Sequence, residues 1–152
     1  MRTLVLGLGN PLLGDDGVGW RVAKIIQGQV NDPDVQVDFH AGGGLSLMER
    51  LVGYDRAIIV DAINTSQQPQ GSVNLFRLED LPAHMASHLA SVHETTLQNA
   101  LQVGRMMKAP LPGEIMIVAV ETQNVYDFSE ELSPTVANAV PPAVQIVLSQ
   151  LS

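Results

Sequence analysis

The stretch Thr3-Leu4-Val5-Leu6-Gly7-Leu8-Gly9-Asn10-Pro11 decides the fold class. Its first six residues form a short, nearly all-apolar run, which reads as a strand buried on both faces. Gly9-Asn10-Pro11 then forces a turn. From about Asp16 the spacing changes, and Val18, Val22, Ile25 and Ile26 repeat at helical intervals to about Gln29. The same alternation continues outward from this start. Val35, Val37 and Phe39 predict a second strand, broken by Gly42-Gly43-Gly44. Leu45 to Val52 reads as a short helix, and Ala57 to Val60 as a third strand with Asp61 at its C-terminal end. Ser72 to Arg77 alternates as a fourth strand. Its link to the third is too short for a crossover helix, so it is expected to run antiparallel to its neighbour.

Leu78 to Val92 is loop-like and carries His84 and His88, with His93 just beyond it. Thr95 or Thr96 can open a helix through Leu97, Ala100, Leu101 and Met107, and Ile115 to Val120 reads as a fifth buried strand. Ser133 is placed as the N-cap of a last helix, with Pro134 in its first turn. Val136, Val140, Val144, Val147 and Leu151 form its apolar stripe, and Pro141-Pro142 must kink or interrupt it. Strands alternating with helices predict a three-layer α/β/α sandwich over residues 1–152. Its sheet has five strands, mostly parallel, with one antiparallel strand at an edge.

Composition narrows the function classes. The chain has 16 acidic residues against 8 basic ones, a net charge of -8, so nucleic acid and anionic membrane are disfavoured as partners. With no cysteine there is no thiol nucleophile, disulfide or thiolate metal site. No run reaches the 18 or so apolar residues of a membrane span. The N-terminal run is broken too early for a signal peptide, so a cytoplasmic monomer is expected.

In such sheets the working site lies beyond the carboxyl ends of the strands. The first strand leads to Asn10, Asp15 and Asp16, and the third to Asp61. Asp16 also suits the first turn of a helix, where a carboxylate favours the dipole. Asp61 directly follows Ile58-Ile59-Val60, where a buried carboxylate needs a partner. His93 precedes a helix and reads as a cap, a loop residue or a third ligand. His40 follows the second strand and stands either near the site or in an ordinary loop. His84 and His88, four apart, read as solvated loop residues. Two carboxylates and one imidazole would make an open first shell for a divalent metal, without selecting zinc, nickel or manganese.

Other chemistries fail on particular positions. His93-Glu94-Thr95-Thr96-Leu97 begins like a zinc-protease helix but has Leu97 where the second histidine belongs. Gly44-Leu45-Ser46-Leu47-Met48 lacks the closing glycine of a nucleophile elbow. Leu12 occupies the third glycine position of a dinucleotide fingerprint.

The segment from Gly7 to Gly19, with Asn10-Pro11 and Gly14-Asp15-Asp16-Gly17, resembles the opening signature of the nickel–iron hydrogenase maturation proteases. Ile58-Ile59-Val60-Asp61-Ala62, Ser91-Val92-His93-Glu94 and Leu132-Ser133-Pro134-Thr135-Val136 resemble later landmarks of that family in the same order. The resemblance implies an endopeptidase that removes a short C-terminal peptide from the nickel-loaded precursor of the hydrogenase large subunit. It places metal contacts on Asp16, Asp61 and His93 and the catalytic carboxylates at Asp16 and Asp61. The nickel would arrive in the precursor and not reside in the enzyme. Two positions depart from the family pattern. Asp16 stands where many members have glutamate. An acidic position after the second strand falls on His40, or is displaced to Asp38, ahead of Gly42 to Gly44. Two other readings stay open. Peptidyl-tRNA hydrolases share the Gly-Leu-Gly-Asn-Pro opening but not Leu12 to Asp16, and a non-catalytic nucleotide- or protein-binding α/β module is the other reading, since fold alone does not fix function.

Overall fold

The computed structural model describes residues 1–81, 89, 96–123 and 127–152. Strand β1 (Thr3–Leu8) is buried throughout and ends in a turn at Gly9, whose φ of 129° few side chains allow. A short 3-10 turn (Gly14–Gly17) follows, then helix α1 (Val18–Gln29). Next come β2 (Val35–His40), α2 (Gly44–Leu51), β3 (Arg56–Ile63) and β4 (Val73–Arg77). After a 3-10 turn at Leu78–Asp80, the chain continues through α3 (Leu97–Met106), β5 (Glu114–Glu121), α4 (Pro134–Ala137) and α5 (Val140–Leu151).

The sheet order is β2-β1-β3-β5-β4. All pairings are parallel except β4 with β5, so the expected antiparallel edge is present. The neighbour of β4 is β5, which lies between it and β3. Side-chain alternation along each strand feeds two cores, one on each face. Leu4, Leu6, Leu8, Ile59, Ile63 and Ile117 pack under α2 and α3, together with Leu47, Leu51 and Leu97. Val5, Ile58, Val60, Val118 and Val120 pack against Val22 and Ile26 of α1 and Val144 and Val147 of α5. These are the three layers expected from the alternating pattern.

Four local readings are revised. The first helix begins at Val18, because Asp16 lies in the 3-10 turn and α1 has no side-chain cap. The third strand runs two residues past Asp61, because β5 supplies ladder partners as far as Ile63 with Glu121. The last helix splits at residues 138–139. Pro141 and Pro142 then fall in the first turn of α5, where their missing N–H groups cost no helical bond. Ser133 precedes α4 but its side chain does not cap it, because the hydroxyl donates to Asp15 Oδ2 at 2.8 Å. Thr96, by contrast, caps α3 as read from sequence, its Oγ1 accepting the Asn99 N–H at 3.2 Å.

Candidate active site

The loop between β1 and α1 is held in place by contacts from both ends of the chain. Gly7 and Gly19 let α1 approach the sheet closely. A Cβ on Gly19 would stand 2.2 Å from the Val60 carbonyl oxygen and 2.6 Å from that of Leu8. A Cβ on Gly7 would stand 2.6 Å from the Gly19 oxygen. On the far side, the Asp15 carboxylate accepts both the N–H and the hydroxyl of Ser133, at 2.7 and 2.8 Å. Gly14 N–H donates to the Ser129 carbonyl, and Ser129 N–H to that of Leu12. Asp15 is therefore a structural staple, and the turn it secures presents the next residue, Asp16.

Asp16 is buried, with 4% exposure, and its Oδ2 accepts the Asn10 N–H at 2.9 Å. Asp16 stands in the first turn of the 3-10 helix, as expected, and its Oδ2 turns back toward the end of β1. Asp61 is fully buried at 0% exposure. It pairs with Ala119 on β5. On the other side, β1–β3 pairing ends at Gly7 with Val60, one residue earlier. The 3-10 turn bearing Asp16 packs against β3. Both carboxylates thus belong to one corner, at the carboxyl edge of the sheet. By alternation Asp61 shares a sheet face with Ile59 and Ile63, the face under α2 and α3.

A second buried carboxylate on that face was not singled out from sequence. Glu121, 3% exposed, ends β5 opposite Ile63. It accepts the N–H and hydroxyl of Thr65, at 2.9 and 2.6 Å, which ties the segment after β3 to β5. Its signal was available: an acidic residue closing the apolar run Ile115 to Val120, as Asp61 follows Ile58 to Val60.

His40 ends β2, next to Leu8 of β1. Its carbonyl accepts the Gly9 N–H at 3.1 Å and the Trp20 indole N–H at 3.2 Å. Its Nε2 lies 3.1 Å from Ser46 Oγ. Partial burial lowers the imidazole pKa below its ordinary value of 6.5. Asp38, the other acidic position weighed from sequence, forms an ion pair with Arg50 and accepts the Phe39 N–H at 2.8 Å. His84, His88, Ser91 and His93 lie outside the described residues. Among the described residues no three His, Asp or Glu gather as a metal set. A cavity of about 320 Å³ opens between Trp20, Arg21, Lys24, Phe39, Glu130 and Leu132. Phe39 and Trp20 place it on the α1 side of the sheet, with ring centroids 5.2 Å apart, away from the face that Asp61 shares.

Fold and site together define an α/β protein with buried acidic groups at the carboxyl edge of a mostly parallel sheet. The hydrogenase maturation protease family matches residues 20–150. The chain is 31% identical over 153 residues to the hydrogenase 2 maturation protease of Escherichia coli, covering 99% of this chain and 91% of that one. Among solved structures, the hydrogenase maturating endopeptidase HybD from E. coli aligns with a TM-score of 0.82 and 29% identity, over 99% of this chain and 92% of the other. The [NiFe] hydrogenase maturation protease HybD from Thermococcus kodakarensis aligns with a TM-score of 0.73 and 26% identity, over 100% of both. The chain belongs to the hydrogenase maturation protease family.

Proposed function

We propose that this protein is an endopeptidase that cuts a C-terminal peptide from the nickel-loaded large-subunit precursor of a nickel–iron hydrogenase. The observation that carries the reading is the pairing of two elements at one sheet corner, each with a buried carboxylate, Asp16 at 4% and Asp61 at 0% exposure. Ionisable groups buried together at the carboxyl edge of such a sheet are candidates for chemistry. Asp16, Asp61 and His93 would contact the nickel of the precursor, a substrate metal. His93 lies outside the described residues, and its role rests on the family motif Ser91-Val92-His93-Glu94.

The mixed oxygen and nitrogen donors suit a divalent ion that keeps open positions for ligands of its own protein. Nickel near the scissile bond would supply Lewis acidity. The chain's own groups have simpler tasks. A carboxylate of Asp16 or Asp61 orients a water and accepts its proton as the water attacks the peptide carbonyl, then returns the proton to the leaving amine. We read the enzyme as a cytoplasmic monomer; sedimentation of the purified protein tests the monomer, and fractionation of cells tests the compartment. No helix among the described residues is long and apolar enough to cross a membrane.

The test of function compares precursor purified from nickel-replete and nickel-starved cells, each mixed with the same enzyme and read by mass spectrometry. Cleavage of the nickel-loaded precursor alone is expected. Asp16→Ala, Asp61→Ala and His93→Ala should each abolish it while the variants stay folded by circular dichroism. Equal cleavage of both precursors would reject nickel recognition, and a folded triple variant with normal activity would reject the site.

A further inference from the structure

The sheet register places another polar side chain, His40, on the same edge as Asp61. His40 pairs with Leu8 on one flank of β1, and Asp61 stands one residue beyond the Gly7–Val60 pair on the other. With strands spaced about 4.8 Å apart, their Cα atoms are separated by roughly two spacings, about 10 Å. Both lie on the same sheet face. Val35 and Val37 pack on the α1 side, whereas Asp38 and His40 reach Arg50 and Ser46 of α2. The turn around Gly9 ties His40 to Asp16 as well, because Gly9 N–H donates to the His40 carbonyl and Asn10 N–H to the Asp16 carboxylate.

The hydrogen-bond network assigns the imidazole tautomer. Ser46 Oγ donates its one proton to the Gly43 carbonyl at 3.0 Å. It can then only accept from His40 Nε2, 3.1 Å away, so Nε2 carries the proton and Nδ1 keeps its lone pair. Gly42 closes against this pair. A Cβ there would stand 2.8 Å from Ser46 Oγ and 3.1 Å from His40 Nε2. Nδ1 has no hydrogen bond to any described residue.

Resting on the protease reading above, we infer that His40 is a substrate-positioning residue whose Nδ1 accepts a backbone N–H from the precursor segment crossing the carboxyl edge of β1. A polypeptide substrate offers N–H donors at nearly every residue, and a lone-pair nitrogen on a half-buried ring is a matched acceptor. The partial burial of the ring keeps it neutral, and so an acceptor, near pH 7.

Asparagine and glutamine separate this role from a structural one. The asparagine amide reaches the Nδ1 position, and the glutamine amide reaches the Nε2 position facing Ser46. Cleavage kinetics on nickel-loaded precursor should give H40N within about threefold of the unmodified enzyme. H40Q and H40L should lose tenfold or more in kcat/KM, mainly through a higher KM. Nitrogen-15 NMR of the unmodified protein should show the Nε2–H tautomer, which tests the assignment even if H40L fails to fold. A Nδ1–H tautomer would overturn the inference, as would H40Q matching or exceeding H40N, or H40L cleaving normally. If the unmodified enzyme cleaves no precursor, the protease reading falls and this inference falls with it. Normal cleavage with indifferent His40 variants overturns the inference alone.

Discussion

At the scale of single residues, two positions illustrate different constraints. Gly19 has no room for a methyl group, since the Val60 and Leu8 carbonyl oxygens would lie 2.2 and 2.6 Å from it. Gly19→Ala must push α1 off the sheet, and overpacking of this kind costs about 1–3 kcal/mol, with backbone contacts on both sides favouring the upper end. A urea melt should therefore show a clear loss of stability and, because α1 follows the Asp16 turn, reduced cleavage as well. His40 gives a pH signature. Its folded pKa lies below 6.5, so the unfolded chain binds a proton that the folded protein resists. The contribution to stability is present above about pH 6.5 and is lost as pH falls toward the folded value. Denaturation at several pH values between 8 and 5 should show the unmodified protein losing more stability than His40→Asn. Parallel curves would mean that His40 titrates alike in both states.

At the scale of elements, end chemistry was readable where it is local. Thr96 caps α3 through Oγ1 to Asn99 N–H, and both residues lie within one turn. Thr96→Ala should cost about 1 kcal/mol, measured by thermal or urea unfolding. A change under a few tenths would show that the cap contributes little. Ser133 has the same residue type and position, yet its hydroxyl and N–H both serve Asp15, over one hundred residues earlier. Local propensity ranks the two residues alike, and only the long-range partner separates them. Strand ends behave the same way. The apolar run locates β3, but its extension past Asp61 depends on β5 lying beside it and continuing to Glu121.

For the whole molecule, two cores flank one sheet, and Ile59 is fully buried in the one under α2 and α3. Ile59→Ala removes three buried carbons two residues before Asp61 and should cost about 2–5 kcal/mol, depending on how far the cavity collapses. Calorimetry should find a lower melting temperature with one cooperative transition. Two separated transitions would mean that the faces unfold independently. Because Ile59 and Asp61 share a face, activity per folded molecule is expected to fall as well. The net charge of -8 belongs to this scale too, and it leaves few basic groups with which to attract a polyanion.

The chain's periodicities alone determined its layered α/β class, its five strands and the antiparallel edge, because burial on both faces leaves continuous apolar runs and a crossover needs length. The family motifs marked Asp16 and Asp61 without distances. What only the tertiary structure decided is who stands beside whom. Asp15 is a staple and Asp16 turns inward, though both are adjacent acidic residues in one turn. Glu121 is a tied carboxylate, and His40 shares the face of Asp61. The physical reason is that spacing along the chain reports which side of an element is apolar. Strand order and register bring residues 40, 61 and 121 to one edge, the turn after β1 adds Asp16, and all of this arises from packing between segments far apart in sequence.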